Sequence, residues 1–304
     1  MNWQKQGLIY MPNKNLYWQN SHAALPTKLH LGGSNYRIFF TSRDKDNRTF
    51  VGSFDIDITM PKLITNKNIN PVLCPGNWGF FDDHGVQACS IIKANNGDLY
   101  MYYLGWNPGL KQPLFYTSIG LAISKDNGET FEKYSDSPIM QRSKFDPWMV
   151  SGGTVLKTSN AFIMYYLSGF KFEFNNSNVN SYYDIKIAHS KDGIEWIRNG
   201  DVALALKDDE TNISRMSIVK RQNEFEAWFP LKKKDMAYHC AYATSVDGLK
   251  WHRKGDNVLP PSENGWDSEA IDKMEVIEHN NIYYMLYNGN KFGIDGIGLA
   301  IAYE

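Results

Sequence analysis

Cysteine is scarce in this chain: Cys74, Cys89 and Cys240 are odd in number and scattered. That argues against a disulfide frame or a zinc site, and for reduced core thiols in a cytoplasm. An excess of charge is missing too. The formal net charge is -1, which points away from nucleic acid and from an anionic membrane as partners. No apolar run approaches a membrane span, and Met1-Asn2-Trp3-Gln4-Lys5-Gln6 opens no signal peptide. Sustained helical periodicity with caps is also lacking. The expectation is a cytoplasmic, all-β protein.

What the chain has is a repeat. Three turns frame it: Ser124-Lys125-Asp126-Asn127-Gly128, Ser190-Lys191-Asp192-Gly193 and Ser245-Val246-Asp247-Gly248. Asn-Gly and Asp-Gly between strand-like runs favour tight hairpins, because these turns need positive φ. A segment led by an aromatic residue follows each turn, as in Phe131-Glu132-Lys133, Trp196-Ile197-Arg198 and Trp251-His252-Arg253. Trp3-Gln4-Lys5 belongs to the same series, yet it stands at the opposite end from the strand it should follow, which runs from Gly296 toward the C-terminus. A repeat completed from the other end of the chain is the mark of a closed ring. Unit starts superpose at Val86–Ile92, Val150–Leu156, Ile213–Val219 and Ile271–Ile277, each followed by an aromatic-rich second strand. A divergent further unit fits residues 28–31, 36–40 and 49–54. The count is five blades of about four strands, a single five-bladed β-propeller domain over residues 1–304 whose last blade is completed by an N-terminal strand at 1–12. Most of the 18 Tyr, 16 Phe and 9 Trp fit a strand core, and some fit surfaces that stack on sugars.

Candidate chemistry sits just before the inner strands. Phe81-Asp82, Phe145-Asp146 and Trp266-Asp267 place an Asp nine residues ahead of the matched Ile91, Val155 and Val276, and Asp209 holds that place ahead of Ile218. In a propeller such loops gather at one mouth of the funnel, so distant carboxylates converge. Glycosidic cleavage needs two of them, one as acid and one as base or nucleophile, and crowding raises one carboxyl pKa. The structural alternative is that a recurring Asp accepts turn N–H bonds and holds blades together. Departures from the repeat mark grafted function more sharply. His84 and Glu269 share one matched position, where another blade has Trp148, and Asp83 has an acidic counterpart in Glu210. Arg215 and Lys273 share an inner-strand position that is Ala88 and Gly152 elsewhere. Facing the funnel, they would bind a phosphate, a carboxylated sugar or a sugar nucleotide; otherwise each pairs with an acid such as Asp272 or Glu275. Trp78, Trp148 and Trp266 are candidates to stack on sugar rings.

The five units, the Tyr-Met-Tyr-Tyr second strand, Ser-x-Asp-Gly-x-x-Trp and Trp266-Asp267-Ser268 together resemble the five-bladed propeller glycosidases: glycoside hydrolase families 43, 32, 68, 117 and 130 and their relatives. The resemblance implies a carbohydrate-active enzyme that cleaves or transfers a glycosidic bond without metal or other cofactor. Its base or nucleophile would be Asp82 or Asp83, its middle acid Asp146 in Phe145-Asp146-Pro147, and its general acid Glu269. His84, Trp148, Arg215, Trp266, Asp267 and Lys273 would bind the carbohydrate, which is anionic or phosphorylated where the two cations meet it. The chain departs from the family in lacking Arg before Asp146 and any acid at Ser21-His22-Ala23-Ala24. A phosphorylase, and a sugar-binding or polysaccharide-biosynthesis accessory propeller without catalysis, remain open beside the hydrolase reading.

Overall fold

The computed structural model describes residues 1–110, 114–159, 161–175 and 178–303. After β1 (Gln4–Tyr10), the first blade is β2 (Ser21–Gly32), β3 (Asn35–Arg43), β4 (Thr49–Asp57) and the short β5 (Ile64–Thr65). Its inner strand starts well ahead of the expected residue 28, and the acid-free Ser21-His22 segment is the start of that strand. The second blade is β6 (Gly85–Lys93), β7 (Leu99–Pro108), β8 (Phe115–Ser124) and β9 (Glu132–Lys133). The third is β10 (Met149–Lys157), β11 (Phe162–Asn175), β12 (Asn178–Ser190) and β13 (Ile197–Leu204). β14 (Glu210–Ile213) leads into the fourth, β15 (Ser217–Lys220), β16 (Phe225–Lys233), β17 (His239–Ser245) and β18 (His252–Leu259). The last contains β19 (Asp272–His279), β20 (Ile282–Asn288) and β21 (Ile297–Tyr303), in the order β1-β21-β20-β19. The chain is an all-β, five-bladed β-propeller with its last blade closed by the N-terminal strand, as the repeat requires.

The strands gather into two compact units, Met1–Val72 with Met216–Leu231 and Ala237–Glu304, and Leu73–Arg215 with Lys232–Met236. In the first unit β1 lies antiparallel on β21, with Lys5 opposite Ala300 and Leu8 opposite Gly298. Trp3 packs edge-on against Trp228 at 6.1 Å, and Tyr10 stacks on Phe54 at 4.5 Å. The N-terminal strand therefore completes two cores, one around Trp228, Tyr283 and Tyr287 and one around Trp18, Phe40 and Phe54. The second unit's core is built on Tyr102, Met164 and Tyr166.

One recurring bond joins successive inner strands within each unit. Val155 N donates to Ser90 Oγ at 3.0 Å in the second unit, and Val276 N donates to Ser217 Oγ at 2.8 Å in the first. Glu275 holds the matched place in the last blade and receives Lys28 Nζ of the first blade at 3.0 Å. A short polar side chain there satisfies a backbone N–H that no strand partner reaches. The Ser-x-Asp turns are equally regular. Asp126 Oδ1 accepts from Ser124 Oγ at 2.7 Å and from Thr130 N at 3.0 Å, and Asp192 and Asp247 repeat the arrangement.

Trp3 tests the closure. Its indole N–H is buried with no hydrogen-bond partner. Trp3→Ala is expected to cost about 3–5 kcal/mol through lost burial and a cavity. Trp3→Phe keeps the ring contact and removes an unsatisfied donor, so it should cost less than about 2 kcal/mol. Urea unfolding midpoints of the two variants check this, and equal losses would contradict it.

Candidate active site

Asp82, Asp146 and Asp267 adopt one arrangement in three blades. Each accepts a hydrogen bond from a second-strand tyrosine: Tyr103 at 3.1 Å, Tyr166 at 3.1 Å and Tyr287 at 2.9 Å. Each also meets a base from the blade's outermost strand: Lys133 at 2.6 Å, Arg198 at 2.7 Å and Lys5 at 2.7 Å. The Asp main-chain carbonyls are engaged as well, by Gly76 N at 3.1 Å, Ser143 N at 3.3 Å and Ser262 N at 3.1 Å. Burial, then the adjacent carboxylate, pushes the three tyrosine hydroxyls up, so they remain donors. The preceding aromatics pack where there is no side chain: a β-carbon at Gly298 would overlap the ring of Trp266, and one at Gly105 would overlap Phe81. Saturated and shielded from water, these carboxylates fit the blade-holding reading of the repeated Asp better than the catalytic one. The sequence reading did not identify Lys5, Lys133 and Arg198 as their partners, although all three follow the turn aromatic at one spacing.

Asp83 points elsewhere. Between Gly79 and Gly85, two left-handed glycines, the chain turns tightly: Asp83 N bonds Phe80 O and Gly85 N bonds Asp82 O. Asp83 Oδ1 meets His84 Nδ1 at 2.5 Å and accepts from Asn107 Nδ2 at 2.6 Å, while Oδ2 accepts from Gly79 N at 2.9 Å. Burial works to raise this carboxyl, but the bonds from His84, Gly79 and Asn107 prevail and hold it below the ordinary aspartate range. An ionised Asp83 is an acceptor only, so His84 Nδ1 carries a proton toward it and Nε2 is the ring nitrogen left for another partner. His84 is part-exposed, between Trp78 at 5.3 Å and Trp106 at 5.6 Å. Trp78 is 69% exposed. Trp106 and Asn107 were not among the sequence candidates; they sit past the end of the aromatic second strand, where a pattern of buried strand residues gives no warning.

The other candidates are placed as follows. Glu269 is exposed in the first unit, with its backbone N–H on Asn290 Oδ1 at 2.7 Å. Trp148 is not open for stacking: it is buried against Phe115 and Phe172, and its indole donates to Phe115 O at 3.2 Å. Trp266 lies against Tyr287 at 5.1 Å and over Gly298, a packing role. Arg215 is buried and donates from Nη1 to Cys89 O at 2.7 Å, a bond within the second unit. Lys273 stands 3.7 Å from Asp272 and over Tyr238, the acid-paired alternative of the sequence reading. Among the described residues no three His, Cys, Asp or Glu side chains come together as metal ligands.

Two proteins of Mycobacterium tuberculosis, the uncharacterized proteins Rv1502 (strain ATCC 25618 / H37Rv) and MT1551 (strain CDC 1551 / Oshkosh), are each 33% identical to this chain over 303 residues, 99% of both lengths. The chain belongs to their family. No family model matches it. Its fold is that of the propeller glycoside hydrolases. BT0996, solved as a complex with RGII, superposes with a TM-score of 0.77 at 21% identity, covering 98% of this chain and 90% of its own. A member of the GH130 family of mannoside phosphorylases, in which glycoside hydrolases target beta-1,2 mannosidic linkages in Candida mannan, gives 0.72 at 14%, covering 97% and 91%. A thermostable family-43 glycoside hydrolase gives 0.63 at 15%, covering 97% and 92%.

Two outcomes follow for the acids. Asp146→Ala leaves Arg198 and Lys186 facing a buried void and should destabilise the protein by about 3–5 kcal/mol in denaturant titrations. Asp184, whose Oδ1 is buried without a partner, is pushed up to about 6 by burial, against the pull of Lys186. A raised carboxyl contributes stability that is complete below about pH 4 and is lost as the pH rises through about 6. Asp184→Asn, always neutral, should therefore exceed wild type by up to about 3 kcal/mol above pH 7 and match it near pH 4. A pH series of melting curves reads the crossover.

Proposed function

We propose that the protein is a carbohydrate-active enzyme that acts at a glycosidic bond, with the Asp83–His84 pair as its proton-transferring group. The observation that carries the reading is the ionised, triply bonded Asp83 behind a part-exposed imidazole between two indoles. Trp78 and Trp106 offer flat apolar faces of the kind that stack on a sugar ring. His84 Nε2 takes the proton of an attacking hydroxyl, from water or from an acceptor sugar, as its oxygen bonds the anomeric carbon and the bond to the leaving group breaks. The leaving group departs as an anion or regains the proton from the imidazolium, which Asp83 stabilises, and positioned proton transfer of this kind contributes about 10²–10⁴-fold to rate. The glycosidase-like fold supports a carbohydrate as the substrate. A cytoplasmic protein of this kind would meet intracellular glycosides or glycosyl donors.

The second reading is a sugar-binding propeller without turnover. The engagement of Asp82, Asp146 and Asp267 in blade contacts favours it, because it leaves few carboxylates for acid–base work. A panel of nitrophenyl glycosides, oligosaccharides with and without phosphate, and sugar nucleotides separates the two. Against wild type, His84→Ala and Asp83→Asn should lower kcat by about 10²–10⁴-fold while binding persists, and Trp78→Ala should weaken binding by about tenfold. Glu269→Gln reports whether that exposed acid takes part. Binding without turnover in every variant would establish the second reading, and turnover unchanged in His84→Ala would remove the proton-transfer role.

A further inference from the structure

Arg43 ends β3 in the first unit, and among the described residues it makes no ion pair with a carboxylate. Burial lowers the proton affinity of its guanidinium. Its cross-strand neighbours are Ser21 on β2 and Thr49 on β4, neither of them acidic. The adjacent Asp44 is committed to its own turn, its Oδ1 accepting from Asp46 N at 2.8 Å and Arg48 N at 2.9 Å. Elsewhere the chain pairs such groups: Arg37, on the same strand, holds Asp55 through two bonds at 2.7 and 2.9 Å. Arg43 is half-buried, and a half-buried guanidinium without an acidic partner keeps its donors for water or for an anion.

The backbone beside it is held under strain. His22 (φ 65), Leu25 (φ 54), Lys291 (φ 51) and Phe292 (φ 60) are all left-handed without being glycine. Asn288 fixes this arrangement, accepting from Leu25 N and donating to the carbonyls of Ala23 and Gly296, each at 2.8 Å. Strain of this kind persists where surrounding structure over-determines it, and it gathers at ligand clamps. The His22 ring is pinned between Ser21 Oγ at 2.9 Å and the Lys291 carbonyl. Burial, and then the charge of Arg43, keep that ring neutral down to about 4, so at neutral pH the guanidinium is the charge presented beside it.

We propose that this strained corner is an anion-binding site, in which Arg43 takes the oxyanion of a small ligand, a phosphate or a carboxylate, beside His22 and Ser21. The planar guanidinium matches either group through two parallel bonds. The proposal is independent of the role given to His84.

Titration of the full chain with inorganic phosphate, glucose 1-phosphate, glucuronate and glucose tests it, with calorimetry for affinity and the His22 ring proton in NMR for location. Wild type should bind at least one of the three anions and move the His22 resonance, with glucose doing neither. Arg43→Gln should weaken that binding by about tenfold or more, Arg43→Lys by less. His84→Ala should retain it in full, whatever its effect on turnover. Preference for the phosphates over glucuronate identifies a phosphate site, and the reverse a carboxylate site. Circular dichroism confirms that each variant is folded. The proposal is overturned if none of the anions binds at millimolar concentration, or if a folded Arg43→Gln binds as wild type does.

Discussion

The buried Asp–Tyr–base contact is the constraint on which the blades depend. In Asp146 it joins a loop before an inner strand to Tyr166 on the second strand and Arg198 on the outermost one, so one carboxylate spans a whole blade. Asp82 and Asp267 do the same with Tyr103 and Lys133, and with Tyr287 and Lys5. A buried ion pair gains little net stability over an apolar packing of equal shape. What it does impose is position, because leaving any one member unpaired is costly. In the last blade the base comes from the N-terminal strand, so ring closure and the charge contact are one event.

That contact also explains where variation is tolerated. The Asp is fixed, and the residues directly after it are not: Asp83-His84 in one blade, Pro147-Trp148 in the next, Ser268-Glu269 in the last. They extend from an anchored point just before an inner strand, and they differ in role: His84 and Glu269 reach the surface while Trp148 packs into its blade. The fourth blade shows the converse. Phe229 stands where the second, third and last blades have the bonding tyrosine, and Asp209 is exposed, 3.5 Å from Lys233. Without a hydroxyl to receive it, a carboxylate at that place has no reason to be buried.

The repeat made the fold legible. The Ser-x-Asp-Gly turns, the matched apolar pairs and the Trp3-Gln4-Lys5 series define the blades and their closure, because each is a local rule of turn geometry or strand alternation. The site was legible only in outline. The repeat sets Asp82 apart from Asp83, but only the Phe80–Gly85 turn shows that one enters the blade and the other meets His84. Arg43 escaped notice for a different reason. Its signature is the absence of an acid around it, and absence is a property of three-dimensional neighbours. A sequence signal is that three of the other second strands run on into glycine, at Gly105, Gly169 and Gly289, whereas β3 ends in Ser42-Arg43.

The same distribution of charge bears on the kind of chemistry the protein can do. A glycosidase built on two carboxyl groups needs one of them protonated near neutrality, which requires crowding or desolvation. Here the buried aspartates at the blade junctions are each engaged by a tyrosine and by a lysine or arginine of their own blade. Asp83 works in the opposite sense: three donors keep it ionised, and an ionised aspartate behind histidine fixes the tautomer whose outer nitrogen accepts a proton. An imidazole held this way suits deprotonation of a hydroxyl nucleophile more than protonation of a leaving oxygen. Under the role proposed for His84, a donor whose leaving group departs as a stabilised anion would match this site better than a plain alkyl glycoside.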